Sequence, residues 1–590
     1  MVVATLTHSN NEITFGDILD GKTQIEVPYY QRAYKWSRKQ ISGLTKDLVD
    51  LIENDDDSAH FMGATIVYQS TPNSKVARRY FVIDGQQRLT TLSLLLLAVT
   101  CTMAKHDARE EARDTLSDRL LLLQRQVEGR SNFALIPGAQ DREALNQVVT
   151  QVLNTRSLAE LFGDEKRFVP HDTHGAAPRS RVASNFRDLL KWAESQWELD
   201  GLPRLDALAD LVLQRLTFVE IFVKDPLSGP LIFDRLNSKG EPLTIGELVK
   251  NDIFSRSEVP FEDLASLDRT IWEPFARKFE TQQALEGYFF PLGLCRTPNL
   301  KKGDVYTALQ QRWDEEGIAT QPVQIVAELD SMSDDYLSAT VQGYAASCHP
   351  KEIAYEFHQL LEAGAPGVVT PFLMQVSHHT RGGDVSKSEA IDALRTTQAF
   401  LVRRAICGIE PTGLHAVFKS LWSQLDLTKK GLGKQIRKIV DDNATVEWPD
   451  DATVQDRVAN RRMYHAKVTK FVLLEFDRST GGDAPGSDMT IDHIFPQTPK
   501  SGEWLAWTAT ADADRLHTLA NLALLSQEQN SRIGNQEWDD KTKDSKKNIY
   551  AHKSGAKSTR DLGGEFHTWT PSDWHKRNET LTEWILTRWA

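Results

Sequence analysis

Cysteine is scarce in this sequence, with four residues in 590. No CxxC pair occurs among Cys101, Cys295, Cys348 and Cys407, so the sequence predicts neither a disulfide framework nor a cysteine-based zinc site. Long apolar runs are also missing. The longest, Leu92–Val99, is much shorter than the roughly 18 residues that a membrane-spanning helix needs. No basic segment precedes an apolar one near the N-terminus, so secretion is not expected. We therefore expect a cytoplasmic protein with no membrane partner.

The chain also lacks an excess of positive charge. Its 69 Lys and Arg residues stand against 82 Asp and Glu residues, which gives a formal net charge of −13. Proteins that coat nucleic acid are normally basic, because phosphate neutralisation dominates their affinity. Any contact with DNA should therefore use local patches, and two exist, at Lys429–Lys438 and Lys541–Arg560. For either patch taken alone, a solvated helix face is an equal alternative.

The spacing of apolar residues divides the chain into three parts. Residues 1–256 are typical of an α/β domain. Its candidate elements are a short helix at Asn11–Leu19, strands at Phe61–Gln69, Tyr80–Ile83 and Leu216–Val223, and an apolar core helix from Leu89 to Lys105. Residues 257–478 have apolar residues three and four apart, which predicts a helical region. The Gly- and Ser-rich segment Ser479–Asp488 is a linker signal, and residues 479–590 form the third domain. The predicted fold class is α+β, mostly helical.

The segment Phe81–Thr91 reads FVIDGQQRLTT, which predicts a strand, a tight turn and a helix start. A helix N-terminus leaves backbone N–H groups unpaired and attracts phosphate, and Gly85 allows the backbone to approach closely. Arg88 can direct two donors at phosphate oxygens, while Asp84 can hold a metal or an attacking water. A plain turn with three polar surface residues after it is the alternative. The sequence contains no Walker A loop, which excludes ordinary P-loop chemistry.

Two further loops are rich in planar and cationic side chains, the residue types that hold a polyanion. Pro28–Trp36 reads PYYQRAYKW, and Phe233–Thr244 reads FDRLNSKGEPLT. Together with DGQQRLTTL, and in this order along the chain, they resemble the N-terminal domain of the GmrSD-type modification-dependent restriction family. The resemblance covers roughly residues 10–256.

This resemblance implies a ParB/sulfiredoxin-like α/β core with helical insertions, in which a DGQQR-type turn is tied to hydrolysis of a nucleoside triphosphate, GTP or ATP. The residues carried over to the nucleotide site are Asp84, Gly85, Gln86, Gln87, Arg88, Arg235, Asn237 and Lys239. The family's YQR segment corresponds to Tyr30, Gln31 and Arg32, which would serve the nucleotide or sense a DNA modification. The aromatic residues around it could receive a sulfur atom that replaces a phosphate oxygen, or they could be core packing.

A second group of residues lies in the third domain. Asp492-His493 is followed by Asn521 and, nine residues later, by Asn530, which is the spacing of a ββα-metal (HNH) nuclease. One hard divalent cation, Mg²⁺ or Mn²⁺, would take oxygen ligands from Asp492 and from the Asn530 amide. His493 points away from its strand neighbour and would activate a water as general base. Asn521 would hold the loop and orient the histidine.

The segments DHIFPQTP, HTLANLALLSQEQN and GNQEWDDK resemble the C-terminal nuclease domain of the same family. One departure is Ala520, which stands where the family commonly has Gly. The resemblance favours a DNA-phosphate patch beside the nuclease, formed by Lys541, Lys543, Lys546 and Lys547.

Both resemblances together imply an anti-phage restriction effector that couples nucleotide hydrolysis and DNA-modification sensing to metal-dependent nicking. The order of domains resembles the SspE type, which responds to DNA phosphorothioation. The alternatives are a type IV enzyme against glucosylated hydroxymethylcytosine DNA and a non-catalytic, nucleotide-dependent DNA-binding protein. The expected partners are double-stranded DNA of host or phage and the proteins that modify it. A single metal centre cuts one strand per encounter, so we expect a nick unless the protein forms a homodimer.

Overall fold

A computed structural model of the chain describes residues 7–20, 22–28, 31–53, 59–69, 78–108, 110–112, 119–121, 131–155, 170, 180–223, 244–257, 259, 261–483, 486, 488–499, 504–507, 514–539 and 545–590. The contacts between residues divide the chain into two compact units. The first comprises residues 1–280 and 310–326, and the second comprises residues 281–309 and 327–590. The division into three predicted domains, 1–256, 257–478 and 479–590, stays a prediction.

The first unit is built on a mixed six-stranded sheet. Its strands are β1 (Thr7–Thr14), β2 (Thr23–Glu26), β3 (His60–Gln69), β4 (Arg78–Asp84), β5 (Leu135–Ile136) and β6 (Leu216–Val223). They lie in the order β1-β6-β3-β4-β2-β5. The β1–β6 and β3–β4 pairs are antiparallel, and the other neighbours are parallel. Three predicted strands are thus present.

The helices up to residue 280 are α1 (Phe15–Ile18), α2 (Arg38–Glu53), α3 (Gln86–Lys105), α4 (Arg142–Leu153), α5 (Val182–Asp210), α6 (Ile245–Ser255), α7 (Phe261–Leu267) and α8 (Glu273–Arg277). Helix α3 is the centre of the core, because all of Leu92–Val99 is buried and α5 packs along it. By length and composition alone α3 would pass as a membrane span, but 89% of its apolar window is enclosed by the protein. The predicted core helix is therefore confirmed.

The predicted short helix at Asn11–Leu19 is wrong in its first half. Residues up to Thr14 belong to β1, and only Phe15–Ile18 is helical. Thr14 marks the change, because its side chain accepts a hydrogen bond from the backbone N–H of Asp17 while the Asp17 carboxylate accepts from Thr14. Such a capping box starts a helix at the next residue. The strand partner of β1 is β6, about 200 residues away, which a local pattern cannot reveal.

The second unit is largely helical and contains a small two-stranded antiparallel sheet of β7 (Met489–His493) and β8 (Leu522–Ser526). The helices from residue 281 onward are α9 (Gln282–Arg296), α10 (Val305–Glu315), α11 (Pro322–Asp330), α12 (Ser333–Thr340), α13 (Ala345–Cys348), α14 (Lys351–Glu362), α15 (Thr370–Gly382), α16 (Lys387–Cys407), α17 (Leu414–Phe418), α18 (Leu432–Asp441), α19 (Asp451–Asn460), α20 (Val468–Ser479), α21 (Gln527–Ile533), α22 (Lys546–Lys553), α23 (Lys557–Glu565) and α24 (Pro571–Arg588). The predicted class, α+β and mostly helical, is confirmed.

A half-buried carboxyl group on β6 gives a test of the first unit. Burial raises the pKa of Glu220 from 4.5 to about 7. Between these values the folded state holds a proton that the unfolded state has lost, so stability falls as the pH rises through this range. We expect Glu220→Gln to melt at a higher temperature than wild type at pH 8 and at the same temperature at pH 4.5. Glu12→Gln, an exposed carboxyl on β1, is the matched control. An equal shift at both pH values would contradict this account.

Candidate functional site

The predicted phosphate turn, Asp84–Arg88, joins β4 to α3. Gly85 is the residue before the helix and has a φ of +102°. A Cβ atom at this position would lie 2.3 Å from Cγ2 of Thr65, so both the backbone angle and the close approach require glycine. Among the described residues no side chain caps the first turn of α3. The helix start therefore presents backbone N–H groups and the positive end of the helix dipole, as the phosphate prediction requires.

Arg88 holds strand β3 in place. Its Nη1 donates to the carbonyl oxygen of Met62 at 2.8 Å, and its Nη2 donates to that of Ala64 at 2.7 Å. Between these two carbonyls, Gly63 has a φ of +108°, and a Cβ there would lie 2.1 Å from Nη1 of Arg88. The alternative of a solvated surface arginine is therefore wrong. A role of Arg88 in phosphate binding stays a prediction and would have to use the remaining N–H groups.

Asp84 lies beside this guanidinium, with Oδ2 3.2 Å from Nη2 of Arg88. Burial raises the pKa of the Asp84 carboxyl, whereas Arg88, the backbone N–H of Gly85 and the charge of Arg32 act in the opposite direction. The turn and the YQR segment thus bring a carboxylate and two arginines together. This is a charge arrangement that can orient a phosphate or a water.

The two glutamines of the turn bind the PYYQRAYKW segment. Nε2 of Gln86 lies 3.3 Å from Oε1 of Gln31. Gln87 accepts from the backbone N–H of Lys35 at 2.7 Å and donates to the carbonyl of Ala33 at 3.2 Å. Gln31 itself donates to the carbonyl of Ile83. These glutamines therefore join the phosphate turn to the PYYQRAYKW segment.

Tyr34 shows that one of the aromatic residues in this segment belongs to the core. Its ring is buried, and its hydroxyl lies 2.7 Å from that of Thr91 and 3.1 Å from Nδ2 of Asn185. For this tyrosine the core-packing alternative is right. Tyr30, the aromatic member of the predicted sensing residues, lies outside the described residues.

The FDRLNSKGEPLT segment lies near the PYYQRAYKW segment at its last residue, Thr244. Thr244 caps α6, and Glu247 in the first turn of that helix lies 2.7 Å from Nζ of Lys35 and 3.9 Å from Nη1 of Arg32. Through Glu247, the end of the FDRLNSKGEPLT segment therefore lies close to the PYYQRAYKW segment. The predicted nucleotide residues Arg235, Asn237 and Lys239 lie outside the described residues.

The residues of the predicted nuclease site (Asp492, His493 and Asn530, below called the nuclease site) lie on β7 and α21. Strands β7 and β8 pair with Asp492 opposite Ala523 and His493 opposite Leu522. Helix α21 follows β8 at once, and Nδ2 of Asn530 donates to Oγ1 of Thr490 at 3.0 Å. Two antiparallel strands and a helix thus bring Asn530 against the strand that carries Asp492 and His493, as the spacing predicted.

His493 is buried among aromatic and histidine side chains. Its Nε2 lies 3.0 Å from Nδ1 of His517, its Nδ1 lies 3.2 Å from Nε2 of Gln497, and its ring lies 4.1 Å from that of Tyr464. Burial, and then the charges of His517, Lys546 and His465, lower the pKa of His493 to about 3. The ring is therefore neutral near pH 7, as a general base must be. His517 was not predicted as a site residue, although it lies four residues before Asn521.

Asp492 is engaged by helix α22. Its Oδ2 lies 3.0 Å from Nζ of Lys546 and accepts the hydroxyl hydrogen of Tyr550. The Lys546 side chain is 0% exposed, and its Nζ also donates to the carbonyl oxygen of His493 at 2.5 Å. Burial lowers the pKa of Lys546, and Asp492 opposes that shift.

These contacts correct the predicted DNA-phosphate patch. Lys546 is wrong as a member, because a fully enclosed ammonium group cannot meet a phosphate at the surface. Lys547 is half-buried, with Nζ 3.4 Å from Nδ1 of His567, and its role in DNA binding stays a prediction. Lys541 and Lys543 lie outside the described residues.

Asn521 is buried and uses its whole amide group. Oδ1 accepts from the backbone N–H of Phe495 at 2.8 Å and from Nε1 of Trp569 at 3.2 Å. Nδ2 donates to the carbonyls of Phe495 at 3.0 Å and of Leu516 at 2.8 Å. Asn521 thus fixes the residues that directly follow His493, which agrees with the holding role expected of it.

The donor set of the nuclease site suits a hard cation. Asp492 offers a carboxylate and Asn530 offers an amide oxygen. Mg²⁺ is commonly bound by one or two carboxylates, with water and substrate phosphate at the other positions. Within the part of the chain that the structure describes, no group of three His, Cys, Asp or Glu side chains could hold a metal. The oxygen donors of Asp492 and Asn530 are of the type that Mg²⁺ or Mn²⁺ prefers, and the binding of one such ion here stays a prediction.

Models of known protein families match both the N-terminal and the C-terminal part of the chain. A family model described as the N-terminal domain of GmrSD restriction endonuclease matches residues 15–254, and one described as the C-terminal domain of GmrSD restriction endonucleases matches residues 448–584. A search of curated proteins gives no match. The two matches include the phosphate turn and the nuclease site.

Asn521→Asp tests the holding role of this amide. The change sets a carboxylate oxygen against the carbonyls of Phe495 and Leu516, which removes two hydrogen bonds from a buried site. We expect a loss of roughly 3 kcal/mol or more in stability, seen as a lower melting temperature of the second unit. Asn535→Asp, which alters one exposed hydrogen bond to Thr498, is the control. Equal melting of the two variants would show that the Asn521 contacts are dispensable.

Proposed function

The chain belongs to the family of GmrSD restriction endonucleases, and from this premise we propose that it hydrolyses a nucleoside triphosphate at the phosphate turn and nicks DNA at the nuclease site. Its role is that of a restriction endonuclease, and DNA is its substrate. The observation that carries the nicking proposal is the neutral, buried His493 beside a carboxylate on one short strand, with the Asn530 amide against the same strand.

The chemistry at the nuclease site follows from the roles of these side chains. A divalent metal, held by Asp492 and Asn530, would polarise the scissile phosphate and neutralise the leaving oxygen. Neutral His493 would take a proton from the attacking water at Nδ1, in place of the contact with Gln497. His517, with Nδ1 3.0 Å from Nε2 of His493, would orient the ring or receive the proton that Nε2 releases. Asn521 fixes the residues after His493. A single centre of this kind acts on one strand per encounter, so the product is a nick, and a double-strand break would require a homodimer.

The first unit is the proposed NTPase, with GTP favoured over ATP. The supporting features are the uncapped start of α3, the glycine that allows close approach, and the carboxylate of Asp84 between Arg88 and Arg32. Phosphate oxygens would meet the N–H groups of the helix start. Asp84, half-buried and beside these groups, would hold the attacking water or a metal.

We propose that the protein senses phosphorothioation of DNA. It would do so in the cytoplasm, alongside the proteins that introduce this modification. Sulfur is softer and more weakly hydrated than oxygen, so a contact with the aromatic Tyr30 would favour it. Gln31 links this segment to the phosphate turn. A change in structure caused by DNA contact at Tyr30 would therefore be transmitted to the nucleotide site through Gln31. Glucosylated hydroxymethylcytosine DNA is the alternative substrate. An unchanged response to phosphorothioated DNA in a Tyr30→Ala, Gln31→Ala variant would argue against this proposal.

Nucleotide turnover would then license the nuclease by shifting the population between two arrangements of the protein. The motivation is that both sites share one chain. A non-catalytic DNA-binding protein remains the competing function, and the intact Asp492, His493 and Asn530 argue against it.

A plasmid assay tests the nuclease. We expect wild type with Mg²⁺ or Mn²⁺ to convert supercoiled DNA to the open circle, and His493→Ala to lose about 100-fold or more of this rate, the usual contribution of a general base. The exposed His552→Ala variant should keep it. Phosphorothioated and plain plasmid are compared with and without GTP. Equal nicking by the two histidine variants would contradict the assignment of His493.

Asp84→Asn separates the two activities. Removing the carboxylate charge at the phosphate turn should abolish GTP hydrolysis, and the nuclease should lose only the part of its rate that depends on nucleotide. Phosphate release and plasmid nicking are measured on the same preparation. Asp47→Asn, an exposed change on α2, should leave both unchanged. Normal GTP hydrolysis by a folded Asp84→Asn protein would refute the nucleotide site.

A further inference from the structure

Asp492 faces a positive charge of its own chain. The ammonium group of Lys546 lies 3.0 Å from Oδ2, and the hydroxyl of Tyr550 donates to the same oxygen. Both side chains come from α22 and are buried. One oxygen of the carboxylate is therefore taken by two donors of the protein, and Oδ1 is the atom left for coordination.

Lys546 is also held in place from a second direction. Its Nζ donates to the carbonyl oxygen of His493 at 2.5 Å. Two contacts to neighbouring residues of β7 and complete burial give this ammonium group little freedom to move away. Displacing it would leave a buried charge without a partner, which costs several kcal/mol by general experience with buried ion pairs. We therefore expect Lys546 to stay beside Asp492 when a metal binds.

The charge balance of the nuclease site follows from this arrangement. Asp492 contributes −1, Lys546 contributes +1 and the Asn530 amide is neutral. Within the described residues, no further carboxylate completes a metal-binding cluster with Asp492. The affinity of oxygen sites for divalent cations depends on the number of charged ligands. A site whose described residues carry no net negative charge should therefore hold Mg²⁺ or Mn²⁺ only weakly.

A DNA phosphate would supply the missing negative charge. We infer that Lys546 makes metal and DNA bind as a pair: its ammonium group cancels the charge of Asp492, so the nuclease site binds a divalent metal tightly only when a DNA phosphate is present. This inference rests on the proposed nuclease function. Its consequence is that the protein without DNA carries little metal and is idle until a strand is seated.

Mn²⁺ binding, measured from the electron paramagnetic resonance signal of free Mn²⁺, tests this. The full chain carries His493→Ala so that a bound duplex stays uncut, while the main-chain contact of Lys546 is kept. We expect a short duplex to tighten Mn²⁺ binding at least tenfold, after subtraction of Mn²⁺ bound by duplex alone. Adding Asp492→Asn should abolish the site and identifies its signal. This comparison needs no change at Lys546.

Lys546→Gln, added to His493→Ala, removes the charge and retains a hydrogen-bonding group. With folding verified by melting, we expect this variant to bind Mn²⁺ at least tenfold more tightly than its parent without DNA, and the duplex to add little. Tyr550→Phe in the same background is the matched control, because it removes the other donor to Oδ2 but keeps the lysine charge. It should retain the dependence on DNA.

The failures are distinguishable. Equal Mn²⁺ affinity of the His493→Ala protein with and without duplex overturns the inference and leaves the proposed metal site intact. Unchanged or weaker binding by folded Lys546→Gln protein also overturns it. If Asp492→Asn removes no part of the Mn²⁺ binding, with or without duplex, the proposed metal site is refuted and the inference with it.

Discussion

The buried ion pair of Asp492 and Lys546 is the interaction on which the nuclease site depends. It joins the last residues of β7 to the first residue of α22, and Lys546 reaches the main chain of His493 as well. Because a buried charge without its partner is strongly destabilising, each residue requires the other. The pair thereby fixes the direction of the Asp492 carboxylate and the backbone of His493, the proposed general base. On the other side of His493, Asn521 secures the residues that follow.

The first unit uses polar side chains in a similar way. Arg88 supports the β3 backbone at Gly63, and Gln87 binds the main chain of the PYYQRAYKW segment. These bonds shape the turn around an uncapped helix start. In both units, side chains that would suit a ligand by their chemistry are partly committed to holding the backbone. Among the described residues, the groups left to meet phosphate or metal include Asp84, the N–H groups of α3, Oδ1 of Asp492 and the Asn530 amide.

Sequence predicted the parts whose chemistry lies in neighbouring residues. The turn at Gly85 and the Asp492-His493 pair followed from short segments, and the core helix followed from its apolar run. It did not predict partners that only folding brings together. Lys546 is 53 residues from His493 and lies in a lysine-rich stretch, and lysine is almost always exposed, so a surface position for Lys546 was the natural but wrong interpretation. His517, 24 residues from His493, carries no local sign of its contact.

The most direct test of the proposed nuclease is the position of its metal. Crystals of the His493→Ala protein with a DNA duplex and Mn²⁺ would give an anomalous diffraction signal for the ion. The account predicts one strong peak in contact with Asp492, Asn530 and a DNA phosphate, with Lys546 still beside Asp492. A peak bound by other side chains, or a duplex seated away from β7 and α21, would contradict it.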